Sequence, residues 1–426
     1  MLLKRTLTTL LAGAALTACG GERARSAADR ASADSSARAG VRRAQAARAD
    51  SIAVRDSIAR AAAADTTPVA PSRPAPNRAR PAPVEHQATP DPLRALYVSR
   101  ASARGDAVWR LIQTARHTPV NALVFDVKDD DGHLLYPSTV GLAHLVGADT
   151  VGAISVRHLH AIMDSLRRYR IYAIARIVVA RDPVLVAQRP QWALIRRADN
   201  PERNAWVDAR HREVWAYAAD LASEAVARGF SEVMFDDVRF PDSRNESERL
   251  EVTPTDGRSR SQVIRDQLGF LQSRVSVLDV PMSIGVEAMA ALDSSDLGIG
   301  QRWEMVADHA DAIMLSILPS RIPAGTAGLQ YPQEQPVELV NRVLEAARRR
   351  SASLWHAARI VPLYQDPAAR PTAGDRASLR AELEAGYGLG VKSWVLWNAE
   401  GRYTEGAFRS DSTRKATGRA GGRSRR

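Results

Sequence analysis

Short apolar runs rich in β-branched residues alternate with longer stretches in which apolar residues recur at helical spacing. The runs predict eight strands, at residues 94–99, 122–127, 172–178, 232–238, 282–287, 312–317, 360–365 and 393–399. The alternation begins near Asp91 and continues to about residue 408, so we expect one folded domain over residues 91–408.

Amphipathic helices are predicted between these strands. Ser155 is a suitable N-cap for a helix whose apolar face carries Leu159, Ile162, Met163 and Leu166. A second helix is predicted over 263–278. A third has Leu379 and Leu383 on one face and ends in the glycine-rich stretch 386–390.

Eight strand and helix alternations in about 310 residues predict an α/β protein with a single (β/α)8 TIM barrel. An open parallel sheet is the alternative fold. The glycine-rich G-x-G-x-x-G loop that often follows the first strand of such a sheet is missing from this sequence.

The segments that follow strands are longer and more polar than those that precede them. They span 128–137, 242–261, 288–301 and 319–335, whereas residues 229–231 alone join a helix to the fourth strand. In a barrel, the long segments gather at the carboxyl ends of the strands, where catalytic residues of this fold lie. The sequence therefore predicts a functional site at that end.

The two ends of the chain differ in composition from the middle. No Phe, Trp or Tyr precedes Tyr97, and residues 20–90 are rich in Ala, Arg, Ser and Pro. Such a segment cannot bury enough apolar surface to offset the entropy of ordering, so we expect a disordered linker. Residues 409–426, rich in Arg, Gly and Ser, are expected to form a basic disordered tail.

The formal net charge of +11 is concentrated in these ends. Residues 1–90 hold 14 Lys and Arg against 7 acidic residues, and residues 409–426 hold 7 against 1, which leaves the middle at −2. A basic groove is the usual sign of nucleic-acid binding, and basic ends are a weak substitute. We therefore expect no nucleic-acid partner.

The only cysteine lies in a segment with export character. Lys4 and Arg5 precede an apolar run at 7–16, which is too short to span a bilayer. Residues 16–19, ending at Cys19, resemble a bacterial lipobox. The resemblance implies a lipoprotein signal peptide at 1–19, lipidation of Cys19 and attachment to the cell envelope. Gly20 favours the outer membrane, and an ordinary signal peptide is the alternative.

Acidic residues stand at the ends of three predicted strands. Asp126 is followed by Asp129 and two further aspartates, Asp236 by Asp237, and Glu287 ends the fifth strand. Charges gathered at one barrel mouth are costly to desolvate, and chemistry is one reason to retain them. Helix capping, or pairing with Arg176 and Arg239, is the structural alternative. Glycosidic bond cleavage requires such a pair of carboxyl groups.

Several motifs together resemble a bacterial family of glycoside hydrolases of barrel fold. They occur in order at residues 125–132, 174–178 with 182–183, 206–208, 235–241, 298–301 and 396–399, so the match covers about 94–403. The resemblance implies a polysaccharide or oligosaccharide substrate. The residues that it implies bind substrate are Asp126, Asp129, Arg176, Asp208, Asp237, Arg239, Trp397 and Asn398.

The chain is also distantly similar to α-amylase-type barrels. That similarity implies that Asp236 is the nucleophile and Glu287 the proton donor, with Arg176 keeping Asp236 ionised. Two positions depart from the family pattern. Asp237 stands where the family usually has an aromatic residue, and Gly285 stands where it has an acidic one.

Other classes of function remain as alternatives. A lipoprotein of this fold could bind carbohydrate without cleaving it. A metal-dependent hydrolase would use the aspartates of 126–131, which match a calcium loop poorly. The sequence contains no H-E-x-x-H, paired C-x-x-C or G-x-S-x-G motif, so we expect no metal, no cofactor and no serine esterase activity. We expect a monomer that meets the membrane through its N-terminal lipid.

Overall fold

The computed structural model describes residues 86–194, 205–242, 256–366 and 373–408. Cys19, the predicted signal peptide, the predicted linker up to residue 85 and the predicted tail from 409 lie outside the described residues. The described part contains eight parallel strands, each hydrogen-bonded to its neighbours, with β8 also paired to β1. The strands are β1 (Arg94–Val98), β2 (Ala122–Lys128), β3 (Tyr172–Val178), β4 (Glu232–Asp236), β5 (Met282–Glu287), β6 (Ala312–Ile317), β7 (Arg359–Gln365) and β8 (Trp394–Trp397).

The predicted (β/α)8 barrel is confirmed, and three of the predicted strands match residue for residue. The largest differences are at β4 and β8, which are shorter than predicted. β4 ends at Asp236 because Asp237 adopts a left-handed backbone conformation, with φ 47°, that an extended strand cannot contain. The carboxyl end of β4 is therefore a sharp turn.

Helices cover the outside of the barrel. Ser155 accepts a hydrogen bond from the N–H of His158 and caps a helix whose four predicted apolar residues are buried, which confirms that expectation. The helices of eleven or more residues are Ala107–His117, Val156–Tyr169, Arg212–Ala227, Arg260–Val275, Pro336–Ser351 and Ala373–Gly388. Shorter α-helices are Arg100–Arg104, Gly141–Val146, Pro183–Gln188, Ala288–Leu292, Trp303–Ala307 and Glu405–Phe408.

The two faces of each strand belong to different cores, because successive side chains point to opposite sides of a strand. Outward residues such as Phe125 and Phe235 pack with the helices in one large cluster. Inward residues form a second cluster inside the barrel: Leu93, Ala95, Ala122, Val124, Tyr172, Ile174, Met234, Ala312, Met314, Leu318, Val361, Leu363 and Val395. The barrel interior is therefore filled at mid-height.

Segments that follow the strands carry additional short elements. Three 3₁₀ turns, Pro319–Arg321, Thr326–Gly328 and Pro332–Glu334, lie between β6 and its helix, within the long polar segment predicted there. Among the described residues, no helix has both the length and the apolar character required to cross a lipid bilayer.

Candidate active site

The strand alternation that fills the barrel interior also aims charged residues at its mouth. Asp126 lies two residues beyond the inward Val124, and Asp236 lies two beyond the inward Met234. On β3, Arg176 follows Ile174 by the same interval. On β5 the outward residues are apolar, so Glu287 faces inward as well. A polar layer therefore lies directly above the apolar one.

A cavity of about 870 Å³ opens above this layer. Asp236 and Glu287 both line it, and their side chains are 21% and 37% exposed. Arg176, Asp237 and Arg239 also line it, so five of the predicted site residues face this cavity. The structure thus brings the two predicted catalytic carboxyl groups to one solvent-accessible space.

Asp236 is held by a donor on each of its oxygens. Arg176 Nε donates to Asp236 Oδ2 at 2.7 Å, and the backbone N–H of Asp237 donates to Oδ1 at 2.9 Å. The arginine bond is charge-assisted and stabilises the ionised carboxylate. With its two oxygens fixed, the carboxylate has one orientation toward the cavity.

Arg176 connects Asp236 to two other carboxylates. Its Nη1 donates to Asp126 Oδ1 at 2.7 Å, and its Nη2 donates to Asp130 Oδ1 at 3.0 Å. The guanidinium is surrounded by negative charge, which raises its pKa although burial acts in the other direction. Arg176 is therefore a fixed cation at the centre of the site.

Asp126 lies beneath the cavity, where it is almost fully buried. Burial raises its pKa to about 6, although Arg176 acts in the opposite direction. The Tyr97 hydroxyl donates a hydrogen bond to Asp126 Oδ2, and burial raises the pKa of Tyr97 well above its ordinary value. Asp126 thus positions Arg176 from below and is not among the residues that line the cavity.

Asp237 and Glu287 share a second arginine. Arg239 Nε lies 3.0 Å from Asp237 Oδ1 and 3.5 Å from Glu287 Oε1. The Arg239 guanidinium carbon lies 4.6 Å from the centroid of the Trp206 ring, so an aromatic face supports it. Two arginines therefore divide the acidic residues between them: Arg176 binds Asp236, and Arg239 approaches Glu287.

Burial raises the pKa of Asp237 to about 7, and the charges of Asp236, Asp130 and Glu287 contribute to the rise against the effect of Arg239. The carboxyl group next to Asp236 in sequence consequently carries a proton through part of the neutral pH range. Its left-handed backbone, with φ 47°, is uncommon for a residue other than glycine.

Gly285 explains one of the departures from the family pattern. A Cβ atom at this position would lie 2.0 Å from Asp236 Oδ1, which is far inside van der Waals contact. The Asp236 carboxylate therefore occupies the space that a side chain at 285 would fill. An acidic residue at this position is incompatible with the observed placement of Asp236.

Gln301 joins the ends of β4 and β5. Its Nε2 donates to the carbonyl oxygens of Gly285 at 3.0 Å and Val238 at 3.3 Å. Its Oε1 accepts from the Glu287 N–H at 3.2 Å. The motif at 298–301 thus fixes the backbone that carries both carboxyl groups.

Besides Asp126 and Trp397, three of the predicted substrate-binding residues do not line the cavity. Asp129 accepts from Arg100 Nη1 at 2.6 Å and from two backbone N–H groups of its own turn. Asp208 pairs with Arg210 at 3.2 Å. The Asn398 side chain donates to the Asp366 carbonyl and accepts from the backbone after β8. These contacts give all three a structural role in the segments that surround the mouth.

Trp397 stands at the edge of the site. Its ring centroid lies 6.2 Å from that of Tyr97, and the Arg321 guanidinium carbon lies 5.6 Å from it on the solvent side. Trp397 is not among the residues that line the cavity. Its ring is packed between neighbours in this arrangement.

Asp130, Arg181 and Arg321 are among the cavity residues that sequence reasoning missed. Burial opposes ionisation of Asp130, but Arg176, Arg181 and Arg321 together lower its pKa below the usual value. The run of three aspartates at 129–131 was the available signal. The choice among them depends on the turn, which directs Asp130 inward and Asp129 toward Arg100.

Within the part of the chain that the structure describes, His, Cys, Asp and Glu side chains do not form a group of three arranged to hold a metal ion. Four acidic residues of the cavity, Asp130, Asp236, Asp237 and Glu287, each lie beside an arginine, as described above. The arrangement combines one fixed carboxylate, a second and more exposed carboxyl group, and a polar space for substrate between them.

A solved bacterial domain shares this fold. The PgaB (BpsB) glycoside hydrolase domain from Bordetella bronchiseptica is 13% identical, with a TM-score of 0.54, over 72% of this chain and 94% of that domain. At this identity the likeness shows the fold alone. A hypothetical protein from Ruminiclostridium thermocellum ATCC 27405 is 26% identical over 48% of this chain and 98% of its own, with a TM-score of 0.39. No curated protein matches the chain.

Residues 95–403 match the sequence profile of a family described as "Putative glycosyl hydrolase domain". The matched residues begin in β1 and end beyond β8, so they include the whole barrel and every residue that lines the cavity. They also make up well over half of the 426 residues. The chain belongs to this glycosyl hydrolase domain family.

Proposed function

We propose that the protein is a glycoside hydrolase that cleaves a polysaccharide or oligosaccharide with Asp236 as the nucleophile and Glu287 as the general acid and base. The observation that carries the proposal is the convergence of these two carboxyl groups on one cavity. They project from adjacent strands, and each lies beside a different arginine.

The environment of Asp236 suits attack on an anomeric carbon. Two hydrogen-bond donors, one of them charged, stabilise its ionised form and fix its direction. Each carboxylate oxygen accepts only one of these bonds, so it retains a lone pair for the substrate. Asp236 therefore requires little reorganisation when positive charge develops at the sugar ring.

Glu287 suits the second role because it is more exposed and lies farther along its strand. Asp236 reaches across Gly285, and Glu287 projects from the same face two residues closer to the mouth. A glycan in the cavity could therefore place its anomeric carbon over Asp236 and its leaving oxygen beside Glu287. Glu287 would protonate that oxygen and then take a proton from the water that completes hydrolysis.

Variants at the two carboxyl groups test the proposal. Purified protein is screened for reducing-end release from bacterial and plant polysaccharides, and then with aryl glycosides of the sugar identified. Asp236→Asn is expected to lower kcat by at least about 1000-fold because the nucleophile is lost. Glu287→Gln should lose activity on the polysaccharide, whereas a glycoside with a good leaving group should still release its aglycone in an initial burst, because that step needs no proton. Turnover after the burst should be slow, because water then lacks its base.

Asp208→Asn is a suitable control, since this aspartate lies outside the cavity lining and pairs with Arg210. It should keep near-normal kcat. Full activity of Asp236→Asn would exclude the nucleophilic role. Polysaccharide binding without release of reducing ends in the unmodified protein would favour the non-catalytic carbohydrate-binding alternative.

We propose further that the protein is exported and anchored in the bacterial envelope, in the outer membrane, through lipid on Cys19. The support is the resemblance of residues 16–19 to a lipobox after a positively charged start and an apolar run. Metabolic labelling with an alkyne fatty acid should mark the protein and leave a Cys19→Ser variant unlabelled. Labelling of both proteins would overturn the proposal.

A further inference from the structure

Of the seven large apolar side chains that are exposed among the described residues, four lie at the end of the barrel opposite the cavity. Tyr169, Val277, Trp355 and Tyr387 all lie where a helix gives way to the next strand, and thus at the amino-terminal ends of the strands. Trp355 is 92% exposed, and its aromatic contact is the ring of His356. A large aromatic residue so fully in water has no packing role in the described structure.

Exposed basic residues also lie at this end of the barrel, but only along part of its circumference. Along the closed barrel from β7 through β8, β1 and β2 to β3, the segments that precede β7, β8, β2 and β3 carry exposed cations, whereas the segment that precedes β1 carries the exposed Asp91. Three exposed aromatic residues lie among these cations. We call this set the basic rim: Arg116, Arg168, Arg170, Arg348, Arg349 and Lys392, with Tyr169, Trp355 and Tyr387.

Part of the remaining circumference has the opposite charge. The segments that precede β5 and β6 carry the exposed Asp279, Asp308 and Asp311. Cations near helix carboxyl termini are ordinarily favoured by the helix dipole. That preference acts on the helix that precedes every strand, so it does not explain why one arc is basic and the other acidic.

The chain also emerges at this end. The Gln87 N–H donates to Ser231 Oγ at 3.1 Å, and the Thr89 hydroxyl lies 3.1 Å from that of Tyr172. Both partners lie at or just before the start of a strand. The first described residues therefore lie at the same end of the barrel as the basic rim.

We propose that the basic rim docks on an anionic phospholipid surface, with Trp355 in the headgroup region and the arginines and Lys392 against lipid phosphates. Tryptophan and tyrosine favour the membrane interface because their rings combine an apolar body with a polar edge. Clustered Lys and Arg are attracted to anionic leaflets. The docking is additional to any lipid anchor, and it does not depend on hydrolase activity.

Tryptophan fluorescence with brominated lipids tests the docking. Full-length protein is bound to vesicles of phosphatidylcholine and phosphatidylglycerol, with or without bromine on the acyl chains. The emission of Trp355 is obtained as the difference between the unmodified protein and Trp355→Phe. We expect brominated lipid to quench most of that difference, and quenching to weaken with added salt or in an Arg348→Glu, Arg349→Glu variant.

Trp192 provides the matched control, because it lies beyond β3 on the cavity side of the barrel. The emission removed by Trp192→Phe should be the same in brominated and ordinary vesicles. The basic ends of the chain can attract vesicles but cannot place bromine beside Trp355. Unquenched Trp355 in vesicle-bound protein, or failure of the protein to bind anionic vesicles, would overturn the proposal, while hydrolase activity on soluble glycans would be unaffected.

Discussion

A methyl group at position 285 would occupy the space that the Asp236 carboxylate now fills. The lack of a side chain at Gly285 on β5 is thus part of the candidate catalytic arrangement. It lets Asp236 of β4 reach across the neighbouring strand. The glycine is required here for space, and its conformational freedom has no part in the argument.

Gly285→Ala should consequently damage activity more than stability. The new Cβ would push Asp236 away from Arg176 by an ångström or more, and misplacement of that size costs about 100-fold in kcat. Overpacking should lower the free energy of unfolding by about 1–3 kcal/mol. Steady-state kinetics and urea unfolding provide the two measurements.

Gly141→Ala is the matched change, since a Cβ at 141 meets no atom within 4 Å. It should alter neither kcat nor stability appreciably. If Gly285→Ala were as active as the unmodified protein, the observed placement of Asp236 would not be the one that catalysis uses.

The residues of the site could be predicted from the sequence where the strand pattern determined the direction in which a side chain points. Asp126, Arg176, Asp236 and Glu287 are at inward positions of strands whose period was readable, and the structure brings them together. Asp130 was missed because its direction is set by a turn, in which hydrogen bonds to Asp129 decide which aspartate faces Arg176.

Among the elements, the end of β2 is tied to the helix that follows β3. Lys128 Nζ lies 2.8 Å from Asp182 Oδ2 and donates to the Val178 carbonyl at 2.6 Å, and both side chains are about 2% exposed. Asp182 also caps the helix Pro183–Gln188 by accepting from the Leu185 N–H. This buried ion pair supports the two segments that carry Asp130 and Arg181.

Lys128→Met should therefore lower the free energy of unfolding by about 3–5 kcal/mol, because it leaves the Asp182 carboxylate buried without its cation. The double variant Lys128→Met, Asp182→Asn should recover part of this loss. Guanidinium unfolding of the two single variants and the double variant measures the coupling. Strictly additive losses would show that the two side chains do not interact.

Element boundaries were predictable where the hydrophobic period continued to the end of a strand. β3, β5 and β6 match their predicted bounds. β4 is shorter than predicted. Residues 237 and 238 continue the apolar and acidic pattern of the strand, but the strand ends at Asp236 because the backbone at Asp237 turns to positive φ. A local backbone conformation of this kind leaves no trace in the periodicity.

At the scale of the whole molecule, stability should depend on pH through a carboxyl group that does not line the cavity. Glu382 lies on the inner face of the helix Ala373–Gly388, and burial raises its pKa from 4.5 to about 7. The folded state therefore holds this proton more tightly than the unfolded chain does. The resulting penalty is absent below about pH 4.5 and is fully present above about pH 7.

Glu382→Gln should accordingly stabilise the protein by about 1–3 kcal/mol at pH 8 and have little effect at pH 4.5. Thermal unfolding across this range measures the difference. Glu384→Gln, an exposed change on the same helix, should give the same small effect at every pH. A Glu382→Gln variant whose Tm followed that of the unmodified protein from pH 4.5 to pH 8 would contradict the expected linkage.

The described residues that line the cavity come from β2 to β6 and the segments that follow them, so the cavity is off-centre over the barrel mouth. The remaining strands, β7, β8 and β1, close the barrel but supply none of the described residues that line the cavity. The segment after β1 still contributes indirectly, because its Arg100 holds Asp129 in the turn that directs Asp130 inward. Proteins of this fold can therefore change the glycans that they accept by altering the segments after β7 and β8, while the reacting carboxyl groups stay in place.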